Sequence, residues 1–454
     1  MSGQCVIHRA IRVAAGRFAP GHLGELTQII PFEMVDAVLA STRRVETRVR
    51  DLPSRVVVYL LLAGALFAEL GYRQVWARMV AGLDGLPVAF PGSSGLAKAR
   101  ARVGVAPLKA LFDLLAGPAA GAARWRGMLV CAIDGTSMFV PDSAANLAAY
   151  GRQTGSHGGS GYPMMRLLAV VACGTRTLID VAFGPYRIGE TSYAPTLTGR
   201  LSRGVLLLAD RNFAVIDLAE QIHATGANLL IRCKNGRRLP DRQRLADGSW
   251  LSMFGTVPIR VIDADIIVTV AGHRTHARYR LVTSLLDLRR FPAHDLIELY
   301  HQRWEIETTY LHLKATMLGG RVLRARTPHG ITQEVYALLA AYQALRLAMA
   351  DATASQPGLP AHRASFTVAL NAARDQVIHA AAVIAATTID LVGKIGHAVL
   401  ADLLPPRRDR RCPHVVKRAI SKHRAKGETD RHNHKTTIHI KILGKEDLTP
   451  SPDP

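Results

Sequence analysis

Cysteine is scarce and scattered in this sequence. The five residues Cys5, Cys131, Cys173, Cys233 and Cys412 form no CxxC pair, which excludes a disulfide framework and a zinc ribbon and points to a reducing cytoplasm. Long apolar runs are missing as well. The most apolar stretch, Val56 to Ala68, falls short of the roughly 20 residues a membrane helix needs. Near the start, Arg9, Arg12 and Arg17 interrupt any run that could serve as a cleavable signal. Acidic residues are too few to balance the basic ones: 35 Asp and Glu stand against 57 Lys and Arg, a net charge of +22. That excess calls for a polyanionic partner, and with the membrane set aside, nucleic acid is the expected one.

What is present suffices for a folded protein. The 454 residues are 48% hydrophobic, enough for about three domains of roughly 150 residues, and a wholly disordered chain is excluded. Residues 1–115 read as a helical N-terminal domain, with Lys98, Arg100 and Arg102 on a basic helix suited either to DNA contact or to a solvated packing surface. At Met128 the texture changes to short β-rich runs: 128–133, 165–172, 177–183, 205–209 and 229–232 alternate with helical segments, as in an α/β core with a mixed sheet. An α/β domain is expected over 116–345, with a β-rich insertion at about 234–290 and a long helix from Ala293 to Leu318. A helical C-terminal region, 346–404, precedes a basic flexible tail, 405–454. The glycine-rich stretch Gly151 to Gly161 fits neither a P-loop nor a dinucleotide fingerprint and reads as a loop beside the site.

Two acids stand directly after buried strands. Asp134 follows Met128–Ile133, and Asp210 follows Val205–Ala209. Desolvation makes such positions costly unless a site uses the charge, and in open α/β sheets ligands gather at the carboxyl ends of the strands. Each Asp alone could cap a helix or a turn; two together favour a hard cation such as Mg²⁺ or Mn²⁺. On the long helix, Tyr300, Arg303, Glu307 and Lys314 fall within about a 60° arc at 100° per residue. A phenol, a guanidinium, a carboxylate and an ammonium on one stripe could grip a phosphodiester beside a metal, or could belong to an exposed helix laced with ion pairs. Arg232, Lys234, Arg237, Arg238, Arg242 and Arg244 cluster at the entrance to the insertion, and Arg321, Arg324 and Arg326 follow the long helix. Trp304 and Trp250 are candidates for stacking on a base.

Asp134 in AIDGT, Asp210 in LADRNF, and the Tyr300-x2-Arg303-x3-Glu307-x6-Lys314 spacing resemble the DDE transposases, and the last pattern resembles in every position the signature of the insertion-sequence-four family. Supporting similarity lies in Phe18–Gly24, Tyr279–Asp287 and Leu323–Pro328, so the likeness covers at least residues 18–345. The resemblance implies a ribonuclease-H-like core in which Asp134, Asp210 and Glu307 are catalytic and hold two divalent ions, Mg²⁺ or Mn²⁺. It implies cleavage and rejoining of DNA at the inverted-repeat ends of a mobile element, by a homodimer on paired ends, in a cytoplasmic, nucleoid-associated setting. Tyr300, Arg303, Lys314, Trp304, Arg211, Arg237 and Arg238 would contact the DNA. A nuclease built on the same core, or a catalytically inactive DNA-binding derivative, is the alternative.

Overall fold

A computed structural model describes residues 21–83, 86–153, 161–270, 273–380, 392–405 and 436–444. The basic run 407–426, most of the glycine-rich loop, Phe18 to Pro20, Cys5 and Cys412 lie outside the described residues. Five helices come first: α1 (Phe32–Ser41), α2 (Ser54–Leu66), α3 (Tyr72–Val80), α4 (Ser93–Val103) and α5 (Ala106–Leu115). Helix α2 is buried at every position from Val56 to Leu66, as an all-round apolar helix must be. The three basic residues of α4 do not share one face, because residues two apart on a helix point to different sides. Lys98 is exposed, whereas Arg100 stacks on Tyr72 at 3.9 Å from the ring centre and Arg102 pairs with Glu46 at 2.6 Å.

Among the described residues that follow, one sheet has eleven strands: β1 (Arg124–Trp125), β2 (Met128–Phe139), β3 (Met164–Ala172), β4 (Leu178–Pro185), β5 (Val205–Ala209), β6 (Asn228–Cys233), β7 (Gln243–Arg244), β8 (Trp250–Phe254), β9 (Val257–Val270), β10 (His273–Thr283) and β11 (Thr436–Ile442). Its order is β4-β3-β2-β5-β6-β10-β9-β8-β7, with β1 on β2 and β11 on β9. In the first five strands β4, β3 and β2 pair antiparallel, then β2, β5 and β6 pair parallel, in keeping with a ribonuclease-H-like core. The stretch 234–290 continues this sheet, because β10 returns to pair with β6, Arg280 opposite Cys233. The tail adds a strand as well: β11 runs along the distal half of β9, with Ile440 opposite Ile266.

Between the strands lie α6 (Ala144–Tyr150), α7 (Glu190–Tyr193) and α8 (Ile216–Ala224); after them come α9 (Ala293–Tyr300), α10 (Glu305–Leu311), α11 (Pro328–Ala354), α12 (Phe366–Ile378) and α13 (Gly393–Ala401). Among the described residues no helix is long and apolar enough to cross a membrane. Side chains alternate along each strand, so Val130, Ala132, Leu206 and Leu208 face one core, shared with the N-terminal helices and α9 to α13. Cys131, Ile133, Leu207 and Ala209 face the other, covered by α8. Arginines join the layers. Arg324, in the basic cluster after the long helix, donates to the carbonyls of Gly64 and Phe67 at the C-terminal end of α2, and Arg374 donates to that of Leu66. Cations suit the orphan carbonyls of a helix C-terminus.

Behind α10 sits a buried charge network. Arg176 donates to Glu305 at 2.5 Å, with both side chains at most 9% exposed. Arg346 donates to the Tyr342 hydroxyl, and that hydroxyl donates to the Arg176 carbonyl, each at 2.9 Å. Arg346 also meets His312 Nδ1 at 2.5 Å. Burial and the neighbouring Arg346 and Arg176 push the His312 pKa down to about 2, so its ring is neutral and accepts from Arg346. Removing one member of a buried ion pair strands the other. Glu305→Ala is therefore expected to destabilise the fold by about 3–5 kcal/mol, read as a fall in the urea midpoint; an unchanged midpoint would show that the pair does not anchor this helix.

Candidate active site

The acids converge through strand register. Ile133 of β2 and Ala209 of β5 are the last partners of a parallel ladder, so Asp134 and Asp210 are the next residues on adjacent strands, and alternation points both toward the core face that carries α9 to α13. Strand β2 does not stop at Asp134, as the sequence suggested; it runs on to Phe139 because β3 still pairs with it, Asp134 opposite Ala169. The site therefore opens where β5 leaves β2 with one neighbour.

The long helix expected from Ala293 to Leu318 is continuous in path but not in winding. After α9 the chain tightens to a 3₁₀ turn at His301–Trp304, returns to α-helix in α10, then widens to a π turn at His312–Met317. Such changes of pitch are frequent at functional sites, and the simple 100° spacing does not hold across them. Tertiary contacts instead bring Tyr300, Arg303 and Lys314 to the strands, and Glu307 meets Arg303. The Tyr300 hydroxyl, on a residue 6% exposed, donates to the Ala209 carbonyl at 3.2 Å, next to Asp210. Lys314 donates to Thr136 Oγ1 at 3.2 Å, and burial lowers its pKa. A residue outside the motif, Tyr310, donates to the Asp134 carbonyl at 2.5 Å.

Arg303 occupies the centre. Its Nη1 lies 3.3 Å from Asp134 Oδ2 and its Nη2 lies 3.6 Å from Glu307 Oε1. Burial disfavours the guanidinium's charge, but Tyr300, Asp134, Glu307 and Asp210 together outweigh it and raise the Arg303 pKa. Burial pushes the Asp134 carboxyl up to about 6; the Gly135 amide and Arg303 oppose the shift, and Asp210 and Glu190 add to it. Asp210 accepts the Asn212 amide at 2.8 Å. Glu190, which carried no role in the sequence, stands beside Asp134: it accepts from Arg166 at 2.7 Å and from the Asn212 side chain at 2.8 Å. No sequence signal marks it, since it lies in a short helix between strands.

The other expected DNA contacts divide. Arg211 and Arg238 are exposed, and Trp304 is 45% exposed. Arg237 is turned inward, donating to the Ala214 carbonyl at 2.5 Å with its guanidinium 4.2 Å from the Phe254 ring centre. Trp250 is core, 4% exposed, with its indole N–H toward Asp263, so it offers no stacking face.

Residues 20–113 match the family described as insertion element 4 transposase N-terminal, and residues 125–344 match the transposase DDE domain. The chain belongs to the IS4-family DDE transposases. It is 26% identical over 401 residues to the transposase InsG for insertion sequence element IS4 of Escherichia coli (strain K12), covering 85% of this transposase and 90% of that relative. InsZ of the same organism is 29% identical over 206 residues, 44% of this chain and 67% of the relative. A piggyBac transposase synaptic complex with hairpin DNA superposes loosely, with a TM-score of 0.42 and 12% identity, covering 85% of this chain and 86% of that one.

Membership implies divalent-ion chemistry on DNA, and the donor set fits it: the carboxylates offer hard oxygen ligands. Asp134 and Glu307 already hold a positive group between them. Among the described residues no three His, Cys, Asp or Glu side chains form a ready coordination cluster. The raised Asp134 pKa, about 6 against an ordinary 3.8, means that this transposase, free of divalent ions, loses stability as pH rises between those values, where the folded carboxyl keeps a proton that the unfolded one releases. Asp134→Asn should flatten that decline and be more stable than the parent at pH 7 by up to about 3 kcal/mol. Urea titrations in chelator at pH 4 and 7 check this; equal slopes for the two proteins would refute it.

Proposed function

We propose that this transposase cleaves the ends of an insertion sequence and joins them to target DNA, with Asp134, Asp210 and Glu307 holding two Mg²⁺ or Mn²⁺ ions. The observation that carries the reading is Arg303 lodged between Asp134 and Glu307, a positive charge where the acids need one. Divalent ions bound there supply Lewis-acid activation of the attacking hydroxyl and stabilise the departing oxygen. Arg303 turns from the carboxylates to a backbone phosphate as DNA enters, a bidentate acceptor that matches its planar fork. Lys314, held beside Thr136, presents a point charge to a second phosphate. Tyr300 is largely sequestered; its main part is to hold the end of β5, and through it Asp210, under the helix. The half-exposed Trp304 offers a stacking face, and Arg211 and Arg238 track the backbone at the rim. A homodimer on paired ends, associated with the nucleoid, suits a reaction that handles two ends at once, and excision followed by insertion suits a single set of acids.

The test is cleavage of DNA carrying the element's inverted repeats with Mg²⁺ or Mn²⁺. The parent is expected to release end-specific 3′-hydroxyls. Asp134→Ala, Asp210→Ala and Glu307→Ala should each lose more than the ~10–100-fold typical of outer-sphere partners of a metal. Full activity in all three would refute the assignment, and cleavage indifferent to the end sequence would favour a nuclease. Arg303→Ala separates the two duties of that residue. Mn²⁺ binding without DNA should tighten once the competing cation is gone, while DNA affinity falls and its salt slope drops by about 1; tighter DNA binding would contradict the proposed exchange.

A further inference from the structure

We infer that Glu190 is a positioning residue of the transposition site, a brace that fixes the turn carrying Asp210 against the strand carrying Asp134. The inference rests on the reading of those two acids as ion ligands. Glu190 opens α7, and its carboxyl lies directly over Gly135: a Cβ built on that glycine would stand 2.4 Å from Glu190 Oε1 and 2.5 Å from Cδ. The residue after Asp134 therefore has to be glycine for Glu190 to lie where it does. Glu190 Oε1 accepts from Arg166 Nη1 at 2.7 Å. Arg166 is itself set by the Tyr186 carbonyl at 3.2 Å and by the Tyr186 ring, 4.4 Å away. Arg166 sits on β3 opposite Ser137 of β2. Glu190 Oε2 accepts from Asn212 Nδ2, and the Asn212 amide donates to Asp210 Oδ1, each at 2.8 Å.

One carboxylate thus touches three elements. The need for it follows from the sheet: the β2–β5 ladder ends at Ile133 and Ala209, so Asp210 stands beyond the last backbone pair. Packing on Gly135 and the bond to Asn212 carry the connection past that point. A carboxylate suits both partners because each of its oxygens accepts and neither donates. A glutamine there would turn an N–H toward either Arg166 or Asn212. Glu190 also brings a third negative charge next to Asp134 and Asp210, which is unfavourable and is tolerated through its pairing with Arg166.

The experiment measures Mn²⁺ binding to the full chain by electron paramagnetic resonance, alongside melting temperature and metal-free DNA affinity. Glu190→Ala and Asn212→Ala are each expected to weaken Mn²⁺ binding about 10–100-fold, the effect usual for residues that orient a ligand. DNA affinity and melting temperature should stay near the parent's. The double variant should be no worse than the worse single one, since both cut the same link, and Gly135→Ala should reproduce the loss by displacing an intact Glu190. Asn212→Ala leaves the Arg166–Glu190 pair in place and tests the brace even where Glu190→Ala fails to fold. If Glu190→Ala weakens binding and Asn212→Ala does not, Glu190 contacts the ion itself and the positioning role is overturned. If neither variant changes Mn²⁺ binding while Asp134→Ala and Asp210→Ala abolish it, the brace is wrong and the site stands; if the aspartate variants also bind normally, the site reading fails first.

Discussion

Carboxylates gathered in a partly buried pocket repel one another, and the Arg303 guanidinium is the charge that lets them stand together. It faces Asp134 and Glu307 directly and feels Asp210 and the Tyr300 phenol as well. Partial burial strengthens both the attraction to the cation and the repulsion between acids, so the gathered carboxylates call for a cation. In the free protein that cation belongs to the chain. Under the proposed function, divalent ions would take that place and leave the same arginine to a phosphodiester oxygen, which would link ion binding and DNA binding through one side chain.

Keeping that arrangement in register occupies much of the architecture around it. The parallel pairing of β2 with β5 sets the two aspartates side by side. Tyr310 and Tyr300 tie the helix to the carbonyls of Asp134 and Ala209. On the opposite side of the helix, Arg176 and Arg346 hold Glu305 and His312, so the segment bearing Glu307 is gripped from both sides. The 3₁₀ and π turns are where the helix adjusts its pitch to meet both sets of anchors. A regular α-helix would have to choose between them.

The large positive charge is spent differently from what a DNA track alone would require. Arg100, Arg102, Arg237, Arg324 and Arg374 point inward, stacking on rings or satisfying helix-end and loop carbonyls. Arg260, fully buried, holds Asp247, Ser249 and the Phe291 carbonyl together. The excess is thus partly scaffold, and the fraction free to meet phosphate is smaller than the composition implies. Arginine serves in both capacities because its long stem packs while its five donors saturate scattered acceptors.

Much of the site was legible in the one-dimensional order of residues. Buried-strand runs followed by Asp134 and Asp210 mark the two aspartates, because strand burial is a local property; the spacing from Tyr300 to Lys314 marks the segment, but its 3₁₀ and π turns decide how those side chains face. The α/β class and the helical flanks were legible for the same reason. Strand pairing between distant segments was not: β10 closing back on β6 and β11 returning to β9 decide that 234–290 extends one sheet. Nor did sequence distinguish arginines that face solvent from those that turn inward, or Trp304 from the buried Trp250. Glu190 is the plainest case, a residue without a motif that acquires its place through Gly135, Arg166 and Asn212. Which acids the chain carries is written in its sequence. Which of them meet, and which cation keeps them apart, depends on contacts between residues far apart along the chain, and only the folded structure brings those together.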